Sequence, residues 1–192
     1  HVKSDDEVVN FLFPNFLILQ NSEIIPFLWG YLSVVENDSW IDNLDRTNWS
    51  EEQIALFLRL LPFSQKVVDR IGHWLQRPEL YWKYVDIRMA QDSEDVDCFV
   101  DGLIEFKRPY AAINCIYNDQ LLSKHTINID KCVTTLLKTQ SSDEPAVERD
   151  SYKISKIISR LQKDHRVSKE NLETIEWNNL SVSVPYNDYA AL

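Results

Sequence analysis

Ser93–Tyr117, SEDVDCFVDGLIEFKRPYAAINCIY, decides the reading of this chain. Ser93 can accept a backbone N–H at a helix start, and Glu94 and Asp95 suit the positive end of the helix dipole. Val96, Phe99, Val100 and Leu103 then recur at helical spacing. Pro109 fits the first position of a second helix, because the N–H it lacks would be unpaired there. Ala111, Ala112, Ile113 and Ile116 follow, and the two alanines allow a neighbouring helix to come close. The segment predicts two helices meeting at a Lys107-Arg108-Pro109 corner. Arg108, Pro109, Ala111 and Ala112 are read as fixing that junction.

The same logic extends along the 192 residues. Ser50-Glu51-Glu52-Gln53 is a capping box, followed by Ile54, Phe57, Leu58 and Leu61 and ended by Pro62. Val67, Val68, Ile71, Trp74 and Leu75 mark the next helix, and Leu80–Val85 a short aromatic turn or helix. Further helices are predicted over Ile129–Leu137, over Tyr152–Lys163, and after Ser168 through Leu172, Ile175 and Leu180. Val8–Val35 is strongly apolar but is divided by Gln20–Glu23. Each half is shorter than the roughly 20 residues that cross a bilayer, so buried helices are expected and no membrane partner. Ser181–Val184 alternates like a strand. The polar stretch 138–150 is expected to be a flexible loop.

Two helix pairs open with Ser-Glu-acid at Ser50 and Ser93, 43 residues apart. Helix-pair solenoids repeat at roughly 34–47 residues. The expected fold is all-α: one domain over 1–192, an irregular α-solenoid of stacked helix pairs, with a compact helical bundle as the alternative. Residues at both termini suggest a piece of a longer protein.

Composition removes several chemistries. Three glycines, Gly30, Gly72 and Gly102, leave no glycine-rich phosphate loop. The formal net charge of −10 disfavours nucleic acid as a partner of the whole surface. Cys98, Cys115 and Cys132 form no CxxC pair; they read as small apolar residues on helix faces, and a reducing cytoplasm is expected. His1, His73, His125 and His165 build no metal motif. The acids Asp92, Glu94, Asp95, Asp97 and Asp101 lack the glycine turn of a calcium loop and are read as helix-dipole partners on a solvated face. A metal-dependent hydrolase or nuclease would have to use them. No cofactor or catalytic residue is assigned.

Two surfaces are candidates for a protein partner or for neighbouring domains of the same longer chain. Lys153, Lys156, Arg160 and Lys163 share one helix face, and residues 151–170 hold six Lys or Arg against Asp164 and Glu170, a local net of +4. Docking to an acidic partner competes there with a merely solvated face. Tyr81, Trp82 and Tyr84 are read either as an exposed patch, since such residues dominate interface hot spots, or as packing between helices.

The order LRLLPF, ELYWKYV, FKRPYAAINCI, DSYKISKIISRLQKD and LETIEWNNL resembles a group of large bacterial multi-domain proteins of uncertain function. The matching positions are Tyr81, Trp82 and Lys83; Arg108, Pro109, Ala111 and Ala112; Tyr152, Ile154 and Leu161; and Glu176, Trp177 and Leu180, spanning roughly 54 to 180. Lys107 stands where that pattern has glycine, and Asn178 and Asn179 depart from its more apolar end. The resemblance implies a helical segment of a larger protein, some members being linked to phage defence, so a sensor or regulatory segment is the alternative to a plain scaffold. It transfers no catalytic residue.

Overall fold

The computed structural model describes residues 30–32, 39–90, 96–122, 128–145 and 148–180. All regular structure among them is helical, with no strand. The apolar run before residue 30, the acids 92, 94 and 95, His125 and the alternating stretch 181–184 lie outside the described residues. The chain divides into two compact units, His1–Tyr84 and Val85–Leu192.

In the first unit, α1 (Glu51–Leu60) starts at the predicted capping box. Ser50 Oγ accepts from the Gln53 N–H at 3.3 Å, and the Gln53 side chain accepts from the Ser50 N–H at 2.7 Å. Leu61 then turns extended ahead of Pro62, which stops the helix. α2 (Gln65–Trp74) and the one-turn α3 (Glu79–Trp82) both pack on α1. Glu51 at the start of α1 accepts from the backbone of Gln76 and Arg77 and from the Arg77 guanidinium, which closes the end of α2 onto α1. Arg70, buried on α2, holds the more exposed Asp42 by a bidentate pair at 2.7 and 3.1 Å.

The aromatic cluster is core rather than surface at two of its three positions. Tyr81 and Trp82 are buried, Trp82 edge-on to Phe63 with ring centroids 6.1 Å apart. A one-turn helix wedged under α1 offers adjacent positions to the same interior, which overturns the exposed-patch reading for both. Tyr84 alone is exposed, at 58%, beside the Arg59 guanidinium and the Lys83 ammonium. The Tyr81 hydroxyl is buried and finds no hydrogen-bond partner among the described residues. Burial pushes its pKa well above the ordinary value, against a smaller opposing pull from Arg59. A buried hydroxyl without a partner loses its hydration for nothing. Tyr81→Phe should therefore leave the melting temperature unchanged or raise stability by up to ~1 kcal/mol in thermal unfolding. A clear loss would show that the hydroxyl is bonded.

The second unit is built around α5 (Pro109–Leu122), which packs against α4 (Val96–Glu105), α6 (Ile129–Leu137) and α7 (Ser151–Leu161). α8 (Lys169–Asn178) lies on α6 and α7. Phe99, Leu103, Ala112, Ile113, Leu136, Ile154, Leu161 and Ile175 form its core. Asn128, Asp150 and Ser168 cap α6, α7 and α8 through their side chains. Cys115 and Cys132 are buried, Cys98 is half-buried, and all three are free thiols, as small apolar helix residues would be. No described helix is long and apolar enough to cross a membrane.

The polar stretch 138–150, expected to be a flexible loop, is described except at 146 and 147. Lys138–Ser141 forms a helical turn against α5, and Glu144 beyond it is buried. Its polar side chains are spent on local bonds: Thr139 Oγ1 donates to the Leu136 carbonyl at 2.8 Å, and Ser142 Oγ donates to Glu144 at 3.1 Å.

Candidate functional site

Two features of the second unit gather polar chemistry: the α4–α5 corner and the outward face of α7.

At the corner, α4 ends in a paired-hydrogen-bond C-cap. The Arg108 N–H donates to the Leu103 carbonyl at 2.8 Å and the Lys107 N–H to the Ile104 carbonyl at 3.1 Å. This places Lys107 in the left-handed region, at φ 59°. Glycine takes that conformation without a Cβ clash, so lysine carries local strain there. Lys107→Gly should raise unfolding free energy by about 0.5–1 kcal/mol, read from chemical denaturation. The gain is net of the exposed 3.9 Å pair with Asp143, which contributes little.

Pro109 then opens α5 as predicted. The first free N–H groups of α5 belong to Tyr110 and Ala111. They donate to Glu144, at 2.7 Å to Oε2 and 3.0 Å to Oε1. Glu144 therefore caps a helix whose first N–H, that of Tyr110, lies 34 residues earlier. Its side chain is 5% exposed, and Arg108 Nε stands 3.7 Å from Oε1. Arg108 also reaches the Val85 carbonyl through Nη1 at 3.0 Å. Every oxygen of Glu144 thus faces a donor or a cation. Both carboxylate oxygens are engaged in capping α5 and pairing with Arg108. The sequence reading found Arg108 and Pro109 but missed Glu144 and Ser142. Only their place after a predicted helix, in a polar stretch, was visible.

Of the acidic run, Asp97 and Asp101 are described, and both are engaged in other contacts. Asp97 accepts from Asn128 Nδ2 at 2.9 Å, and Lys131 pairs with Asp101 while donating to the Asp97 carbonyl at 3.1 Å. Asp86 clamps Arg88, whose hydrogen bonds hold the Asp86 carboxyl below its ordinary pKa. Among the described residues, no group of three or more His, Cys, Asp or Glu is placed to hold a metal ion.

α7 buries Ile154, Ile157, Ile158 and Leu161 and turns the opposite side to solvent. Tyr152, Lys156 and Arg160 are exposed on it, and Lys163 is exposed just past its end. Lys153 is half-buried at its edge, 3.7 Å from Asp150 and near the Tyr117 ring. Among the described residues, no carboxylate pairs with Lys156, Arg160 or Lys163. Tyr152 meets Tyr117 of α5 edge-on, with centroids 6.1 Å apart, and the Lys156 ammonium lies 5.2 Å from the Tyr152 ring. Lost hydration, and next the hydrogen bond with Tyr152, raise the Tyr117 hydroxyl above its ordinary pKa. The face is thus a cationic stripe seated on a tyrosine pair. Tyr152 stays 61% exposed despite that contact.

No protein-family model matches the chain, and no curated protein or solved structure is similar to it.

Proposed function

We propose that this chain is a non-catalytic helical interaction module, an irregular stack of helix pairs within a larger bacterial protein, acting in the cytoplasm. Its second unit meets a protein partner through the outward face of α7. One observation carries this reading. Lys156, Arg160 and Lys163 stand together with the exposed Tyr152 and without carboxylate partners among the described residues, on a chain whose formal net charge is −10. A cationic island on an acidic protein draws a partner to one place, because everywhere else repels an acidic surface. Tyrosine supplies contact area at low entropic loss, and lysine and arginine add apolar stems beneath their charges.

The reading is tested by chemical crosslinking in cell extract, comparing the native chain with Lys156→Glu/Arg160→Glu/Lys163→Glu. These side chains lie outside the core, so helical circular dichroism should be equal in both. A protein crosslinked to the native chain and lost from the triple variant is the expected result. Identical crosslinked sets would overturn the assignment of this face.

A further inference from the structure

The outward face of α8 is the counterpart of the outward face of α7. Ile175 is its buried centre, and Asn179 just beyond is buried as well. Glu170, Glu173 and Trp177 fall on the far side at helical spacing, Leu180 lies just past the end of α8, and all four are exposed. Trp177 is 74% exposed, the most exposed large apolar residue described, and Leu180 is 48% exposed. Among the described residues, Glu173 is met by Lys169 of its own helix, at 3.5 Å between two well-exposed side chains. Glu176 is turned aside to accept from Gln162 at 2.8 Å. The stripe therefore opens on two carboxylates, one of them paired with the exposed Lys169, and is aromatic-apolar at its end.

An exposed tryptophan beside carboxylates is a receptor for cations with apolar stems. The indole face attracts lysine and arginine more strongly than any other side-chain ring, and the carboxylates add charge. The matching donor surface on this molecule is the Tyr152, Lys156, Arg160 and Lys163 stripe. Both stripes point to solvent from neighbouring helices of one unit, so neither satisfies the other within a chain.

We infer that the chain pairs with a second copy of itself, the α7 stripe of one copy against the α8 stripe of the other. A two-fold arrangement makes this contact twice, and such self-complementary interfaces are the commonest in soluble oligomers. The inference rests on the reading of α7 as an interaction face and names its partner. Because opposite charges meet across an acidic protein, pairing should weaken as salt screens it.

Sedimentation velocity on the full chain tests this, from low micromolar to about 1 mM protein. Three proteins are compared: native, Lys156→Glu/Arg160→Glu/Lys163→Glu, and Glu170→Lys/Glu173→Lys. The native chain should dimerise, with association roughly tenfold weaker at ~0.5 M salt than at ~0.05 M. Each charge-reversed protein alone should stay monomeric, since like charges then face each other. An equimolar mixture of the two should recover the dimer, because both contacts are again between opposite charges. Trp177→Ala, which leaves the charges in place, should also weaken the native dimer. That result guards against a reversal that merely unfolds the chain.

A native chain that stays monomeric over the whole range overturns the inference, as does a mixture that fails to associate. If the native chain is monomeric yet the α7 triple variant loses a crosslinked foreign protein, the dimer falls and the interaction module stands. If the α7 stripe instead retains a single-stranded RNA oligomer in a salt-dependent way with no dimer present, the partner is nucleic acid and both readings fall.

Discussion

Replacing Glu144 with alanine should lower the stability of the second unit by about 3 kcal/mol, the largest loss expected from any single change to its polar side chains. Two terms add. The Tyr110 and Ala111 N–H groups lose their acceptor at 2.7 and 3.0 Å, and α5 loses its only described side-chain cap. A lost cap alone costs about 1 kcal/mol. Arg108, itself largely buried, then loses the carboxylate 3.7 Å away, and a largely buried cation without its counter-charge is a further penalty. Glu144→Gln separates the two. It keeps an acceptor for one N–H but removes the charge, so it should fall between native and Glu144→Ala. Arg108→Ala should also destabilise, by about 1–2 kcal/mol, since it frees the Val85 carbonyl and leaves Glu144 with the helix end. The double variant Arg108→Ala/Glu144→Ala should be less damaging than the sum of the singles, which denaturant melts in a double-mutant cycle would show. Strict additivity would mean that the two side chains do not act on each other.

Ala112→Leu should cost about 2–3 kcal/mol. Ala112 is fully buried near the start of α5, the helix that touches α4, α6 and α7. An isobutyl group has nowhere to go there without pushing one of those helices outward. Leucine has nearly the helix propensity of alanine, so the loss would report packing and little else. Ala112→Ser, close in volume, should lose less than ~1 kcal/mol, since its hydroxyl can bond back to a carbonyl of its own helix. Thermal melts followed at the helical circular dichroism band distinguish the outcomes. Equal melting of native and Ala112→Leu would show that α5 is not tightly enclosed.

The helices themselves were legible because each one carries its own start and stop. Ser50 with Gln53, Ser168 ahead of α8, and Pro109 at the head of α5 act within one turn of the backbone, and the structure places them as the sequence suggests. α6 begins and ends at the predicted residues, Ile129 and Leu137. The basic face of α7 was equally readable, since a stripe at helical spacing needs only a helix to exist. The final helix was predicted to carry Leu172, Ile175 and Leu180; α8 ends at Asn178, and Leu180 beyond it is exposed while Asn179 is buried.

Burial around an aromatic run could not be read from spacing. Tyr81 and Tyr84 look alike in sequence, and one is core while the other is exposed, because a single turn of helix under α1 leaves no room for both. The comparison of the two helix pairs shows a similar limit. Ser50 opens α1 by a capping box, but α1 passes to α2 through an extended Leu61 and Pro62, whereas α4 passes to α5 through the left-handed Lys107. Similar starts therefore lead to different joints.

The sequence by itself determined the helical class, the positions of most helix ends and the outward cationic stripe, because capping, proline geometry and amphipathic spacing all act over a few residues. Only the tertiary structure decided that Glu144 closes the Arg108 corner and that Tyr81 lies inside. It also decided that Asp97 and Asp101 are held by Asn128 and Lys131. Those pairings join residues tens of positions apart, and no local preference of the backbone encodes which distant side chain arrives.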